Sequence, residues 1–154
     1  LSPALRPLIW QISTFTLAHT VTLALGVTGV VTLSPTIVEP LIAASIIYVA
    51  VENLFTSSLS RWRPIVIFGF GLLHGLGFAS VLEEFGLPEA QFFPALIGFN
   101  VGVEVGQLTV IAIAFALVGV WFRNKRWYRA RIAVPASVLI ALVGAYWFVE
   151  RVFF

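Results

Sequence analysis

Apolar residues run along this chain in five long stretches, at about 8–33, 37–59, 64–82, 92–122 and 132–149. A bilayer core is crossed by roughly 20 apolar residues in a helix, and each stretch meets that need. The breaks between them carry turn signals, namely SPTIVEP, SSLSRWRP, EEFGLPE and RNKRWYRAR. No low-complexity linker interrupts the pattern. It predicts an all-α, polytopic transmembrane helical bundle with five spans, forming a single transmembrane domain over residues 1–154.

Composition turns that pattern into a statement about solvent. The chain is 60% hydrophobic and 10% charged, with a mean hydropathy of +1.02. An ordinary soluble domain is about 45–50% apolar and about 25% charged. One soluble core cannot hide so much apolar surface, so lipid is the expected solvent for much of it. The first stretch is expected to stay in the protein: it is too long for a cleavable signal, and no small-residue cleavage site with a soluble domain follows it. Cysteine and methionine are both absent, which removes disulfides, thiolates and thioethers from the available chemistry.

The charges sort by loop. Arg6, Arg61, Arg63, Arg123, Lys125, Arg126, Arg129 and Arg131, eight of the nine basic residues, fall on one side of the expected membrane, and Arg151 on the other. Glu39, Glu83, Glu84, Glu89 and Glu150 fall on the side of Arg151. Cationic loops stay cytoplasmic, so the N-terminus of this chain is expected inside and its C-terminus in the periplasm of a bacterial inner membrane. Trp10, Trp62, Trp121, Trp127 and Trp147 all fall near span ends, as interfacial aromatics do. The net charge of +2 is thus a topology signal, and no nucleic-acid partner is expected.

Four ionisable residues do not obey the loop rule. His19, Glu52, His74 and Glu104 lie inside four different spans, and counting from the flanking charges places each near the bilayer middle. A charge there costs on the order of 2.5–3.5 kcal/mol even on the lenient insertion scale, so such groups face the interior and are paired. Asn100, Glu104 and Gln107 recur at i, i+4 and i+7 on one face of the fourth span. Gly98, Gly102 and Gly106 repeat every four residues on roughly the opposite face, where a neighbouring helix or partner chain can approach closely. Thr16, His19 and Thr20 share a face of the first span; Glu52 and Asn53 lie near Tyr48 and Thr56 in the second; Gly71 and Gly75 flank His74 in the third. Thr16, Thr20 and Thr22 are expected to satisfy backbone carbonyls.

Taken singly, a histidine within a span is commonly a helix-to-helix hydrogen bonder, and Glu52 with Asn53 an interhelical clamp. Two histidines and two glutamates at matched depth on four helices point instead to a shared site. Imidazole plus carboxylate suits Ni, Co, Zn or Fe, and ligands that must lose a proton to bind offer a way to release the ion. No HExxH-like spacing occurs within any one helix, so the site depends on convergence of the helices.

FTLAHTVTLAL, IAASIIYVAVENL, FGLLHGLGFAS and GFNVGVEVGQL, in that order, resemble the HupE/UreJ family of bacterial membrane proteins, most closely its long-chain branch. The resemblance covers about residues 10–151. It implies a small polytopic helical bundle and membership of a group linked to nickel or cobalt uptake for hydrogenase and urease. The matching positions are His19 in AHT, Glu52 and Asn53 in VEN, His74 in LHG, and Asn100, Glu104 and Gln107 in NVGVEVGQ. The family also has an earlier span with a G-x-D-H motif, which this sequence lacks, as it lacks aspartate altogether.

Three functions follow as expectations. The first is a divalent transition-metal permease or metal-binding protein for Ni, Co or Zn, with His19, His74, Glu52 and Glu104 as metal ligands and Asn53, Asn100 and Gln107 behind them. The second is an accessory subunit whose polar residues only clamp helices, joined to a partner or a second copy through Gly98, Gly102 and Gly106. The third, a membrane metallohydrolase with zinc-activated water, is the weakest: Ser80 lies almost two helical turns beyond His74 and no GxSxG motif occurs.

Overall fold

The computed structural model describes residues 6–56, 61–84, 86 and 91–154, without the side chains of Glu83 and Glu84. Glu89, the end of the second expected span and most of the SSLS and EEFGLPE turns therefore lie outside the described residues. Helices α1 (Arg6–Val27), α2 (Pro35–Phe55), α3 (Arg63–Glu84) and α4 (Phe92–Ala114) follow one another. α4 continues through a π-helical turn, Phe115–Gly119, into the short α5 (Val120–Phe122). A second π-helical turn, Arg129–Ala133, leads into α6 (Val134–Phe153). Five of these helical runs are long and apolar enough to cross a membrane: Arg6–Val27, Pro35–Phe55, Arg63–Leu82, Phe92–Phe122 and Arg129–Phe153. The chain is an all-α polytopic membrane protein, and no strand occurs among the described residues.

Two span ends differ from the hydropathy pattern for identifiable reasons. The first apolar stretch runs to about residue 33, yet α1 stops at Val27. Gly29 adopts φ 71°, its N–H bonds the Gly26 carbonyl and the Val30 N–H bonds the Leu25 carbonyl. That is a Schellman ending, in which a left-handed glycine folds the chain back onto the last carbonyls. The last span begins earlier than expected, at Arg129. Backbone hydrogen bonding does not require apolar side chains, and arginine stems reach outward from a span end. α2 starts where its sequence says it should, with Pro35 in the first turn and the Ser34 carbonyl accepting from Ile37 and Val38.

The chain divides into two compact units, Leu1–Val38 with Arg61–Leu108, and Glu39–Ser60 with Thr109–Phe154. In the first, Leu23, Ala79, Leu82 and Leu96 form a buried core flanked by Ala24, Val27, Phe92 and Phe99. α1 and α3 approach backbone to backbone. A Cβ on Gly71 would stand 2.5 Å from the Phe15 carbonyl oxygen, and one on Gly75 would collide with Thr22 Oγ1 and the His19 carbonyl. A Cβ on Gly26 would in turn strike Ala79. These contacts ascend both helices together, so α1 and α3 run parallel. Small residues at the crossing are what allow it, since in lipid helices associate by packing rather than by escape from water.

In the second unit α2 and α6 run antiparallel. Gly144 is buried against Ile46 and Ile47 at mid-helix. At one end Arg151 pairs with Glu39 at 2.9 Å. At the other, Arg129 donates to the Leu54 and Thr56 carbonyls at 3.0 and 2.9 Å. A cation there meets the negative end of the α2 dipole.

Candidate metal site

The first unit builds a polar centre around His19, which is 0% exposed. His19 Nδ1 lies 3.0 Å from Asn100 Oδ1. The Asn100 amide is oriented by its other end, since Nδ2 donates to the Leu96 carbonyl at 2.8 Å. Oδ1 therefore faces His19 as an acceptor, and the neutral imidazole carries its proton on Nδ1. The Thr20 hydroxyl stands 2.8 Å from the same Oδ1 and 2.7 Å from the Thr16 carbonyl. With Oδ1 meeting two donors, the amide is held at both ends. His19 Nε2 is left with its lone pair, buried and without a hydrogen-bond partner.

His74 shows the same tautomer by another route. Its Nδ1 lies 2.8 Å from the Phe70 carbonyl oxygen, which only accepts, so in the neutral ring Nδ1 donates and Nε2 keeps the lone pair. An imidazole whose other nitrogen donates to a carbonyl or carboxamide is the usual arrangement of a metal-ligating histidine. The pattern is reached here twice.

Three phenyl rings surround His19, and one of them also meets His74. Phe15 and Phe99 stack on His19 at centroid distances of 6.2 and 6.0 Å, with interplanar angles of 16° and 15°. Phe78 meets it edge-on at 5.6 Å. Phe15 also meets His74 edge-on at 5.1 Å, so one ring touches both histidines. Phe15 and Phe99 thus lie roughly parallel to the His19 ring, and the Nε2 lone pair points outward in the plane of that ring.

The expected residues divide into three groups. His19 and Asn100 are in direct contact, and His74 joins them through Phe15. Glu104 and Gln107 are half-buried further along α4. Glu52 and Asn53 are half-buried on α2, in the second unit. Among the described residues no group of three or more His, Asp or Glu side chains is gathered to hold one metal ion. Thr20 and Thr22 bond backbone carbonyls as expected, but Thr16 does not: its Oγ1 is buried and unpartnered. Ser80 donates to the Gly77 carbonyl at 2.8 Å.

The profile described as HupE / UreJ protein matches residues 1–151. The chain belongs to the HupE/UreJ family. Comparisons with curated proteins and with solved structures find no match. Within this HupE/UreJ chain, the phenyl enclosure and the Thr20 contact had escaped the sequence reading. A signal for part of it was present, since Phe15 stands four residues before His19, a spacing that stacks side chains on one helical face. The open side of α4 is equally plain: a Cβ on Gly98, Gly102 or Gly106 would meet nothing within 4 Å.

Proposed function

We propose that this HupE/UreJ chain is a permease, or membrane metal-binding protein, for a divalent transition-metal ion of the nickel or cobalt type. The observation that carries this reading is the buried, unpartnered His19 Nε2, presented by the hydrogen bond from Nδ1 to Asn100. A lone pair sealed from water without a donor is uncommon; a cation is the guest that uses it. His19 and His74 serve as imidazole ligands. Glu104 and Glu52 serve as carboxylate ligands or proton acceptors as the ion passes, with Asn53, Asn100 and Gln107 orienting them. The family is associated with nickel and cobalt transport or an accessory role in it, and neutral imidazoles without thiolates favour Ni, Co or Zn while permitting release.

The chain sits in a bacterial inner membrane in this reading, its N-terminus cytoplasmic and its C-terminus periplasmic, because the basic loops cluster on one side. Metal content and uptake in cells test it with His74→Ala and Glu104→Gln. Both variants lose accumulation at equal expression; wild-type behaviour in both defeats the proposal. A second reading, an accessory subunit, draws on the open Gly98–Gly102–Gly106 face, which suits a partner helix or a second copy. Purification of a stable stoichiometric complex, without bound metal and without transport in liposomes, selects that reading instead.

A further inference from the structure

Thr16 and His19 stand one turn apart on one face of α1, and each carries a buried polar atom without a hydrogen-bond partner, Oγ1 and Nε2 respectively. Thr16 is 9% exposed and His19 0%. Buried polar atoms are nearly always paired, so two orphans on one face ask for a common cause. The Thr16 hydroxyl also departs from its neighbours' habit. Thr20 donates to the Thr16 carbonyl, Thr22 to the Ala18 carbonyl and Thr28 to the Ala24 carbonyl, each one turn back. That bond is the ordinary outlet for a threonine in an apolar helix. Thr16 makes none.

We infer that Thr16 is a binding residue for the ion that His19 ligates, its hydroxyl holding a water that stays on the ion. This deepens the metal reading and rests on it. Imidazole nitrogen suits borderline divalent ions, whereas a neutral hydroxyl is a poor direct ligand for them. A hydroxyl oxygen is a good acceptor for water, and a water bound to a divalent cation is a stronger donor than a free one. The polar side chains bonded to one another beside His19 are already committed. Asn100 Oδ1 faces two donors, Asn100 Nδ2 serves the Leu96 carbonyl and Thr20 shares its proton between two acceptors. Phenyl rings stack on the imidazole. Thr16 Oγ1 is the hydroxyl on this face of α1 left to meet a guest at Nε2, and the guest keeps part of its hydration there instead of shedding it all.

Nickel binding to the purified, detergent-solubilised full chain tests this, by calorimetry or chelator competition, with circular dichroism and melting as controls for folding. Thr16→Val keeps the shape and removes the hydroxyl; it weakens nickel binding about 10-fold or more, as loss of an outer-shell partner does. Thr16→Ser restores binding to near the wild-type value, which a purely structural role for the methyl group would not produce. If Thr16→Val binds nickel as the wild type does while His19→Ala does not, the Thr16 inference is overturned and the His19 reading stands. If the wild type and His19→Ala bind alike, the metal reading fails and this inference falls with it. Should Thr16→Val not fold, Thr16→Ala against Thr16→Ser makes the same comparison: equal affinities overturn the inference, and loss in the alanine variant alone supports it.

Discussion

In the first unit α1 and α3 meet backbone to backbone at Gly71, Gly75 and Gly26, whereas in the second α2 and α6 are tied at their ends by Arg129 and Arg151. The polar groups follow suit. In the first unit His19, Asn100 and Thr16 lie mid-helix, each at least nine-tenths buried, and two of their atoms remain orphaned. In the second unit Arg129, Arg151 and Glu39 sit at helix ends, and there they are bonded to one another's helices. The end ties are inexpensive because water and headgroups are at hand; the mid-helix groups are costly in lipid. Uncompensated cost at buried positions is where function is expected to reside, and on that ground the first unit is the one we propose as the working one.

Two glycines test the packing side of that contrast most severely. Gly75→Leu drives a side chain into Thr22 and the His19 backbone, and is expected to destabilise the protein by about 3 kcal/mol and abolish nickel binding. At Gly102 an added Cβ would meet nothing within 4 Å among the described residues, so Gly102→Leu is expected to change monomer stability by less than about 0.5 kcal/mol. Thermal melting of the two solubilised variants checks both. If the open face of α4 grips a second chain, Gly102→Leu instead shows itself on a native gel, as loss of the larger species.

Asn100 sharpens the comparison at the site itself. Asn100→Leu removes the acceptor that holds the His19 proton on Nδ1, so the ring is free to move its proton to Nε2 and hide the lone pair. Nickel affinity is expected to fall about 10–100-fold, and the ¹⁵N chemical shifts of His19 in the metal-free protein are expected to report the tautomer change. Asn100→Asp keeps an acceptor and is expected to keep the Nδ1–H form. An unchanged tautomer in Asn100→Leu would show that Asn100 only packs.

Much of the fold was legible because lipid imposes a crude rule: a long apolar run must be a helix, since no water satisfies any other backbone. The run at 92–122 came out with those same limits. Where the reading slipped, at Val27, a local hydrogen-bond pattern around Gly29 overruled hydropathy. The polar centre was legible in part. Depth counting singled out His19 and His74, and the i, i+4, i+7 face singled out Asn100, side chains the structure brings together, but depth says nothing of azimuth. Glu52 and His19 share a depth in the sequence and yet belong to different units. Threonine carries least signal of all, because back-bonding and orphaned hydroxyls read identically in one-letter code; only geometry separates Thr16 from Thr22.

The second unit supplies the smallest effects, and their smallness is the point. Arg129→Ala removes two bonds to the carbonyls closing α2 and is expected to cost about 1 kcal/mol, since a cation at an exposed helix C-terminus contributes no more than that. Arg151→Ala is expected to cost less still. Its guanidinium stands 2.9 Å from Glu39 and 3.5 Å from Glu150, with side chains 39–48% exposed; such exposed pairs contribute about 0.2–1 kcal/mol. Raising the ionic strength screens the pair, so the melting difference between wild type and Arg151→Ala should shrink in high salt while that of Gly75→Leu persists. Nickel binding should be untouched by either arginine variant. Lost binding in Arg151→Ala with melting preserved would mean that the far end of α2 controls the ion, and the division between a working unit and a tied one would have to be abandoned.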